Sequence, residues 1–468
     1  EMLRSLVGSE MCIRDSPMTG WLVSVFSMRR VLMVGTAGFV LFSIACSLAP
    51  NIHSLIFARV LQGAFGGVLI PLSFQLIVTE LPAARHPMGM ALFAVANNVA
   101  QAAGPSLGGW LTDAYSWRWI FYLQVPPGLL LLAAIGWSVR PQPMVLAKLR
   151  QGDWGGIASM AVGLSALQIM LEEGGRYDWF ASSFISHCAI LATVGLLAFV
   201  AIELRREQPL INLRLLGRYN FGIASLMQFT FGAVVFGVVF LVPNYFAQIH
   251  GYNARQIGLM MIPYGLIQFV MSFATPRLMR WTSARTIIIA GFAITGIGCL
   301  MNIHLNPDAS VNVIVPSLVV RGIGQSLVVV ALGVMAIQGL EKDQVGSASG
   351  LFSMVRNVGG AIGIALSSQI VVEREKLHAQ RIGESVSLFA QATQERLVEL
   401  VRLLAQAPVE YATALHSAAL APLRQQALGM VDKVLHRDAL LLAYSDAFLL
   451  AGLAMLLCVV AGVLLRRA

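Results

Sequence analysis

Apolar runs long enough to cross a bilayer recur along this chain with short breaks, and that recurrence constrains its fold more than any other feature. They lie near 31–49, 54–79, 88–111, 119–138, 156–173 and 183–204, then near 219–246, 256–276, 286–304, 312–339, 345–372 and 439–465, twelve complete spans. A helix needs about 20 apolar residues to cross the hydrocarbon, and lipid offers no water to unpaired backbone groups, so runs of this length read as helices. The chain is 57% hydrophobic and 12% charged, with a mean hydropathy of +0.74. Soluble domains are roughly a quarter charged. The expected fold class is an all-α polytopic membrane protein.

The net charge of +9 would suit nucleic acid only if basic residues clustered on one solvated face. Here they are scattered between apolar segments, and nucleic acid is excluded. Counted on alternate sides of the spans, the short loops carry sixteen Lys and Arg on one side, including Arg29, Arg30, Arg140, Arg214 and Arg277, and three on the other, Arg118, Arg176 and Arg255. The first side is therefore expected to be cytoplasmic, together with the C-terminus. The longest separator, 374–438, then lies outside. It is polar and helical in pattern, with Leu397, Leu400 and Leu404 near one face, and reads as a solvated or interface-lying amphipathic segment. Four of the five cysteines, Cys46, Cys188, Cys299 and Cys458, fall within spans at no metal-ligand spacing and read as small hydrophobes.

Residues 1–16, EMLRSLVGSEMCIRDS, have the apolar core of neither a signal peptide nor a membrane helix, and the string resembles a translated sequencing adapter. From Pro17 the chain reads as the tail of a helix running into a loop.

A faint internal repeat divides the rest. Arg59 opens RVLQG and Arg321 opens RGIGQ, each inside a span and each followed one span later by a glycine-rich helix. The earlier carries Asn97, Asn98, Gly104 and Gly108; the later carries Asn357, Gly359, Gly360 and Gly363. Two matching halves flanking the spans at 156–173 and 183–204 suggest a transporter with its binding site between two bundles.

Arg59 would cost at least about 2.5 kcal/mol near the bilayer centre unless it faces protein or water, so it needs a partner. It reads either as a structural residue bridging helices or as a cation modulating a nearby carboxylate. Arg321 and Arg356 are expected to be paired structurally. Asp113 and Asp446 lie near span ends, where solvation accounts for them, and no carboxylate lies deep inside a complete span. Of the many amides within spans, Gln62, Gln75, Gln124 and Gln168 among them, most are expected to bond helices together. A minority facing a cavity, with candidates Asn97, Asn98, Gln101, Gln228, Gln268 and Gln325, would suit bulky amphipathic ligands. In the stretch 88–111, Gly104 to Gly108 is a spacing that admits another backbone closely. No phosphate-binding loop, zinc site or catalytic triad is present, so no catalytic residue and no metal ligand is assigned.

Several stretches resemble one family. AGPSLGG, with Gly104, Pro105, Gly108 and Gly109, resembles the antiporter motif of drug:proton antiporters, and LIFARVLQG, with Arg59 and Gly63, their proton-coupling motif. SWRWIFYLQVPPG at 116–128 is similar to a third family pattern, with Gln124 replacing Asn. LQIMLEEGGRYDWF and PLINLRLLGRYNF resemble the turn between two extra helices and the lead into the second half. The chain from Pro17 onward thus resembles the fourteen-helix EmrB/QacA subfamily of the major facilitator superfamily. The loop motif survives only as Gly20, Leu22, Arg29 and Arg30, with Ser24 at its acidic position and Ser27 at its second glycine.

The resemblance implies two six-helix bundles, the first incomplete, with two extra helices between them. Its divisions are a non-native leader (1–16), an N-terminal bundle (17–138), linker helices (139–218) and a C-terminal bundle (219–468) with the outer loop 374–438. It implies proton-coupled efflux of amphipathic toxic compounds across the bacterial inner membrane, driven by the proton gradient without a cofactor. The partners expected are substrates, protons and lipid, joined in a Gram-negative source by a periplasmic adaptor and an outer-membrane channel. An exporter of one metabolite or siderophore, an inactive fragment of such a transporter, and a polytopic membrane transferase are the alternatives. The first helix, where the family keeps a membrane carboxylate, is expected to be missing, leaving Arg59 facing lipid or foreign partners.

Overall fold

Four of the described helices begin at a side chain that caps them, Asn51, Asp153, Asn253 and Ser283. In the computed structural model, which describes residues 22–23, 25–82, 85, 88–89, 92–93, 96, 104, 107–140, 143–144, 153–206, 211–305, 311–337, 344–386, 391–405 and 420–465, α1 (Met28–Ser47) is followed by α2 (Ile52–Gly66). Asn51 and Ser54 exchange side chain and backbone hydrogen bonds at the start of α2, satisfying amides that the first turn leaves open. The expected span 54–79 is interrupted: α2 stops at Gly66 and α3 (Leu69–Glu80) begins beyond Gly67 and Val68. Pro71 explains the break, since it has no amide to donate to Gly67 and its ring crowds that carbonyl. Next comes α4 (Trp119–Ser138). Of the expected span 88–111, most lies outside the described residues; 107–114 is helical.

Helices α5 (Trp154–Glu173) and α6 (Ser183–Arg205) pair as a hairpin. Asp153 caps α5 through the Gly156 amide and is held by Arg206 at 2.7 Å, closing one end. At the other end the turn passes through Asp178 and Trp179 with positive φ, and the Trp179 indole donates to Gln369 at 2.9 Å.

The second half comprises α7 (Tyr219–Ile249), α8 (Ala254–Leu278), α9 (Ala284–Leu300), α10 (Val311–Ile337), α11 (Gln344–Ser385), α12 (Gln391–Ala405) and α13 (Ala421–Leu464). Its core is continuous, joining Phe231, Phe246, Phe292, Leu318, Ala331, Leu351 and Phe448 from five helices. Helix α11 lies almost backbone to backbone on α7: a Cβ at Gly359 or Gly363 would overlap the carbonyls of Phe229 or Ala233. In the first half Val31, Leu32, Val68, Leu72 and Ile135 form one cluster and Cys46, Ala58 and Phe121 another.

The segment 374–438, expected to be helical in pattern, is helical over most of its described residues. Helix α11 continues to Ser385 and α13 starts at Ala421, because the run from Glu373 to Ile382 is rich in good helix formers and free of glycine and proline. Leu397 does share a face with Leu400 and Leu404, but that face packs on α13 with Val398, Val401 and Ala427.

No strand occurs among the described residues. Ten helical spans among the described residues are long and apolar enough to cross a membrane, Ile52–Ile77 across the α2–α3 break counting as one, with Ala284–Leu300 a shorter apolar helix. The chain is an all-α, multi-pass membrane protein.

Candidate functional site

A polar side chain inside a span must find a partner on a neighbouring helix, and this requirement builds one polar centre in each half. In the first, Arg59 and Gln62 lie one turn apart on α2. The Arg59 Nη1 donates to Gln62 Oε1 at 3.0 Å, and its guanidinium stands 4.7 Å from the centre of the Phe121 ring on α4. Gln62, nearly fully buried, passes the connection on: its Nε2 donates to Ser43 Oγ on α1 at 2.6 Å and to Gln124 Oε1 at 2.9 Å. Three helices, α1, α2 and α4 at its turn before Val125, are thus tied through one amide. Arg59 is half-buried and partnered within the first half, as its reading as a residue bridging helices requires. A guanidinium over an aromatic face contributes about 0.5–2 kcal/mol depending on desolvation. Gly63 lies one residue beyond Gln62, on the same turn of α2.

Ser43 and Phe121 were invisible as partners in the sequence. A lone serine in an apolar run carries no signal, and this one also bonds the Phe39 carbonyl of its own helix at 2.7 Å. The family pattern did mark Gln124, and the structure gives the amide there a task.

In the second half the pairing is between α8 and α10. Tyr264 and Gln268 lie one turn apart on α8, and both donate to Gln325 Oε1 on α10, Gln268 at 3.0 Å. One turn before Gln325 stands Arg321, only 2% exposed. Its Nε and Nη1 are buried without a hydrogen-bond partner among the described residues, as is Gln268 Oε1. The Cys299 thiol of α9 is the hydrogen-bonding neighbour of the guanidinium. Structural ion pairing, expected for Arg321, is not found among the described residues. The six spans of this half carry one carboxylate, Asp446. That residue is not simply solvated as expected: it accepts from His378 at 2.9 Å and faces Arg374 at 3.5 Å, both on α11. An uncompensated buried cation is costly, by about 3–5 kcal/mol when a partner is removed from a buried pair.

The remaining candidates separate. Gln228 on α7 is buried with its Oε1 unpartnered. Asn97, Asn98, Gln101, Pro105 and Gly20 lie outside the described residues. The expected close approach at Gly104 and Gly108 is displaced by one residue. Among the described residues a Cβ at Gly104 meets nothing within 4 Å and one at Gly108 only Ile120 at 3.9 Å, whereas at Gly109 it would stand 2.6 Å from the Ala254 carbonyl, where α8 of the other half begins. Helical periodicity decides this: Gly109 faces α8, and the residue before it is turned about 100° away.

In the loop motif Leu22 packs against the cluster of Met28 and Val31, Arg29 Nη2 donates to the Gly136 carbonyl at 2.8 Å, and Arg30 is exposed. Ser27, at the motif's second glycine, has φ 72° and ψ 149°, a region open in practice to glycine alone. The backbone shape that calls for glycine persists here without one. A buried acidic pair escaped the sequence reading: Asp153 and Glu203 close the α5–α6 hairpin, Glu203 accepting from the Ile211 amide at 3.3 Å.

With this geometry in place, comparisons with known proteins take a definite form. The Major Facilitator Superfamily model matches residues 16–364. The multidrug export protein EmrB of Haemophilus influenzae is 31% identical, covering 79% of this chain and 73% of that protein. The fatty acid resistance protein FarB of Neisseria gonorrhoeae is 30% identical, over 82% and 76%. Among solved structures, a proton-dependent oligopeptide transporter superposes with a TM-score of 0.58 at 15% identity, covering 99% of this chain and 91% of the other, a likeness of fold.

Proposed function

Since the chain belongs to the Major Facilitator Superfamily, and within it to the EmrB/QacA subfamily, we propose that it exports amphipathic toxic compounds across the bacterial inner membrane in exchange for protons. The observation that carries this reading is the pair of polar centres buried within otherwise apolar spans, one in each half, in a chain 31% identical to a multidrug exporter. Arg59 is the proton-coupling cation. Its hydrogen bond to Gln62 gives it a position that a proton arriving nearby would perturb, and Gln62 relays the change to α1 and α4. The two halves meet at Gly109 and Ala254, and rocking about such a contact alternates access to a site between them.

The protein is a carrier rather than an enzyme, driven by the proton gradient and requiring no cofactor. Its C-terminus lies in the cytoplasm, and α12 with the long ends of α11 and α13 stands outside the membrane, where an adaptor docks in a Gram-negative source. The test is efflux of a cationic dye from cells expressing the intact protein. Adding a protonophore is expected to abolish it; efflux that survives collapse of the gradient but stops on ATP depletion would overturn the proposal.

A further inference from the structure

The second half holds a cation that its own spans do not balance. Arg321 and Arg356 lie on α10 and α11, while the one carboxylate in the six spans of this half, Asp446, is already engaged by His378 and Arg374. An arginine stays charged at any physiological pH, so Arg321 cannot escape by losing its proton. Its stem is fixed: it passes over Gly298 of α9, where a Cβ would stand 2.5 Å from Arg321 Cγ. Two of its three nitrogens are left unpartnered among the described residues. Beside it Tyr264 and Gln268 converge on Gln325, and the free Gln268 Oε1 marks the same cluster as incompletely bonded. A charged donor left open in this way is a group that a carboxylate or a similar anionic head satisfies with a charge-assisted hydrogen bond.

We propose that Arg321 is the anion subsite of the transport pathway, taking the carboxylate head of an amphipathic substrate whose apolar tail runs along α8 past Met260 and Met261. This rests on the export reading above and narrows its substrate class to include anionic amphiphiles. The guanidinium is occluded in this conformation, so α8 must part from α10 to admit the head group. Pro263, immediately before Tyr264, removes the amide that would bond the Leu259 carbonyl, and α8 bends most readily there. Substrate binding then supplies the missing counter-ion. Because it does so in the open state, the charge favours loading from whichever side is open.

Equilibrium binding of radiolabelled dodecanoate to the full chain in nanodiscs of neutral lipid tests the assignment without a proton gradient, so its outcome is separable from that of the dye experiment. Saturable binding is expected, displaced by dodecyl sulfate at concentrations at least about tenfold below those needed of dodecyltrimethylammonium, which has the same tail and the opposite charge. Sodium chloride at matched ionic strength should not displace it. Arg321→Gln should weaken dodecanoate binding about tenfold or more, the scale of one charged hydrogen-bonding partner, and Arg321→Lys by less. If the glutamine variant fails to fold, the competition series on the unaltered protein decides alone. Equal displacement by the cationic and anionic amphiphiles, displacement by chloride, or dodecanoate affinity unchanged in a folded Arg321→Gln protein would each overturn the proposal.

Discussion

The two halves solve the same problem in opposite ways. In the first, the arginine is satisfied: Arg59 bonds Gln62 and stacks on Phe121, while Gly104 and Gly108 of the glycine-rich stretch meet almost nothing among the described residues. In the second, glycines press α11 against the backbone of α7, and the arginine in the corresponding position is enclosed with two nitrogens open. Similar sequence signals, RVLQG and RGIGQ, therefore end in different physics. An arginine bonded and stacked in this conformation can respond to a proton, whereas one with two nitrogens open is ready for a ligand.

The largest effect should come from breaking the packing. Gly363→Leu drives a side chain into the Ala233 carbonyl and should destabilise the protein by about 3 kcal/mol, the upper end of overpacking costs, whereas Gly104→Leu should be nearly neutral. Membrane abundance and the melting midpoint in detergent measure both, and equal losses would erase the difference drawn between the glycine helices.

Next is the cation in the first half. Arg59→Ala should abolish proton-coupled dye efflux and Arg59→Lys retain part of it, because charge persists while the stacked, planar geometry over Phe121 is lost. Efflux from the alanine protein that matches the unaltered one across a pH series would make Arg59 structural only.

The amides come third. Gln62→Leu strands Arg59, Ser43 and Gln124, while Gln325→Leu strands Tyr264 and Gln268, so both should cost about 1–3 kcal/mol with the Gln62 change the larger. Thermal unfolding of the two variants side by side gives the order. A greater loss at Gln325 would mean that enclosure, not the number of partners, sets the cost.

The smallest effect concerns strain in the first half. Ser27→Gly should raise stability by about 1 kcal/mol, since glycine accepts φ 72° without the penalty serine bears there. A lower melting midpoint would show that Ser27 contributes a contact worth more than the relief.

The sequence by itself determined the class of fold and most of its spans, because exclusion of water from the bilayer forces each apolar run of about 20 residues into a helix regardless of its neighbours. It also pointed to Arg59, Gln62 and Gln124, since a polar side chain at such a depth needs a partner wherever the helix is placed. Which partner it finds was not legible. Ser43 and Phe121 reach Arg59 and Gln62 only because α1 and α4 pack against α2, and Gly109 rather than Gly108 meets Ala254 only because of how one helix is rotated on its axis. The break before Pro71 could be read from one residue, but the packing of α12 on the extended end of α13 could not. Tertiary structure alone decided that Arg59 is satisfied and Arg321 is not, because hydrogen bonding in a membrane interior is settled by the few ångströms and degrees with which neighbouring helices face one another.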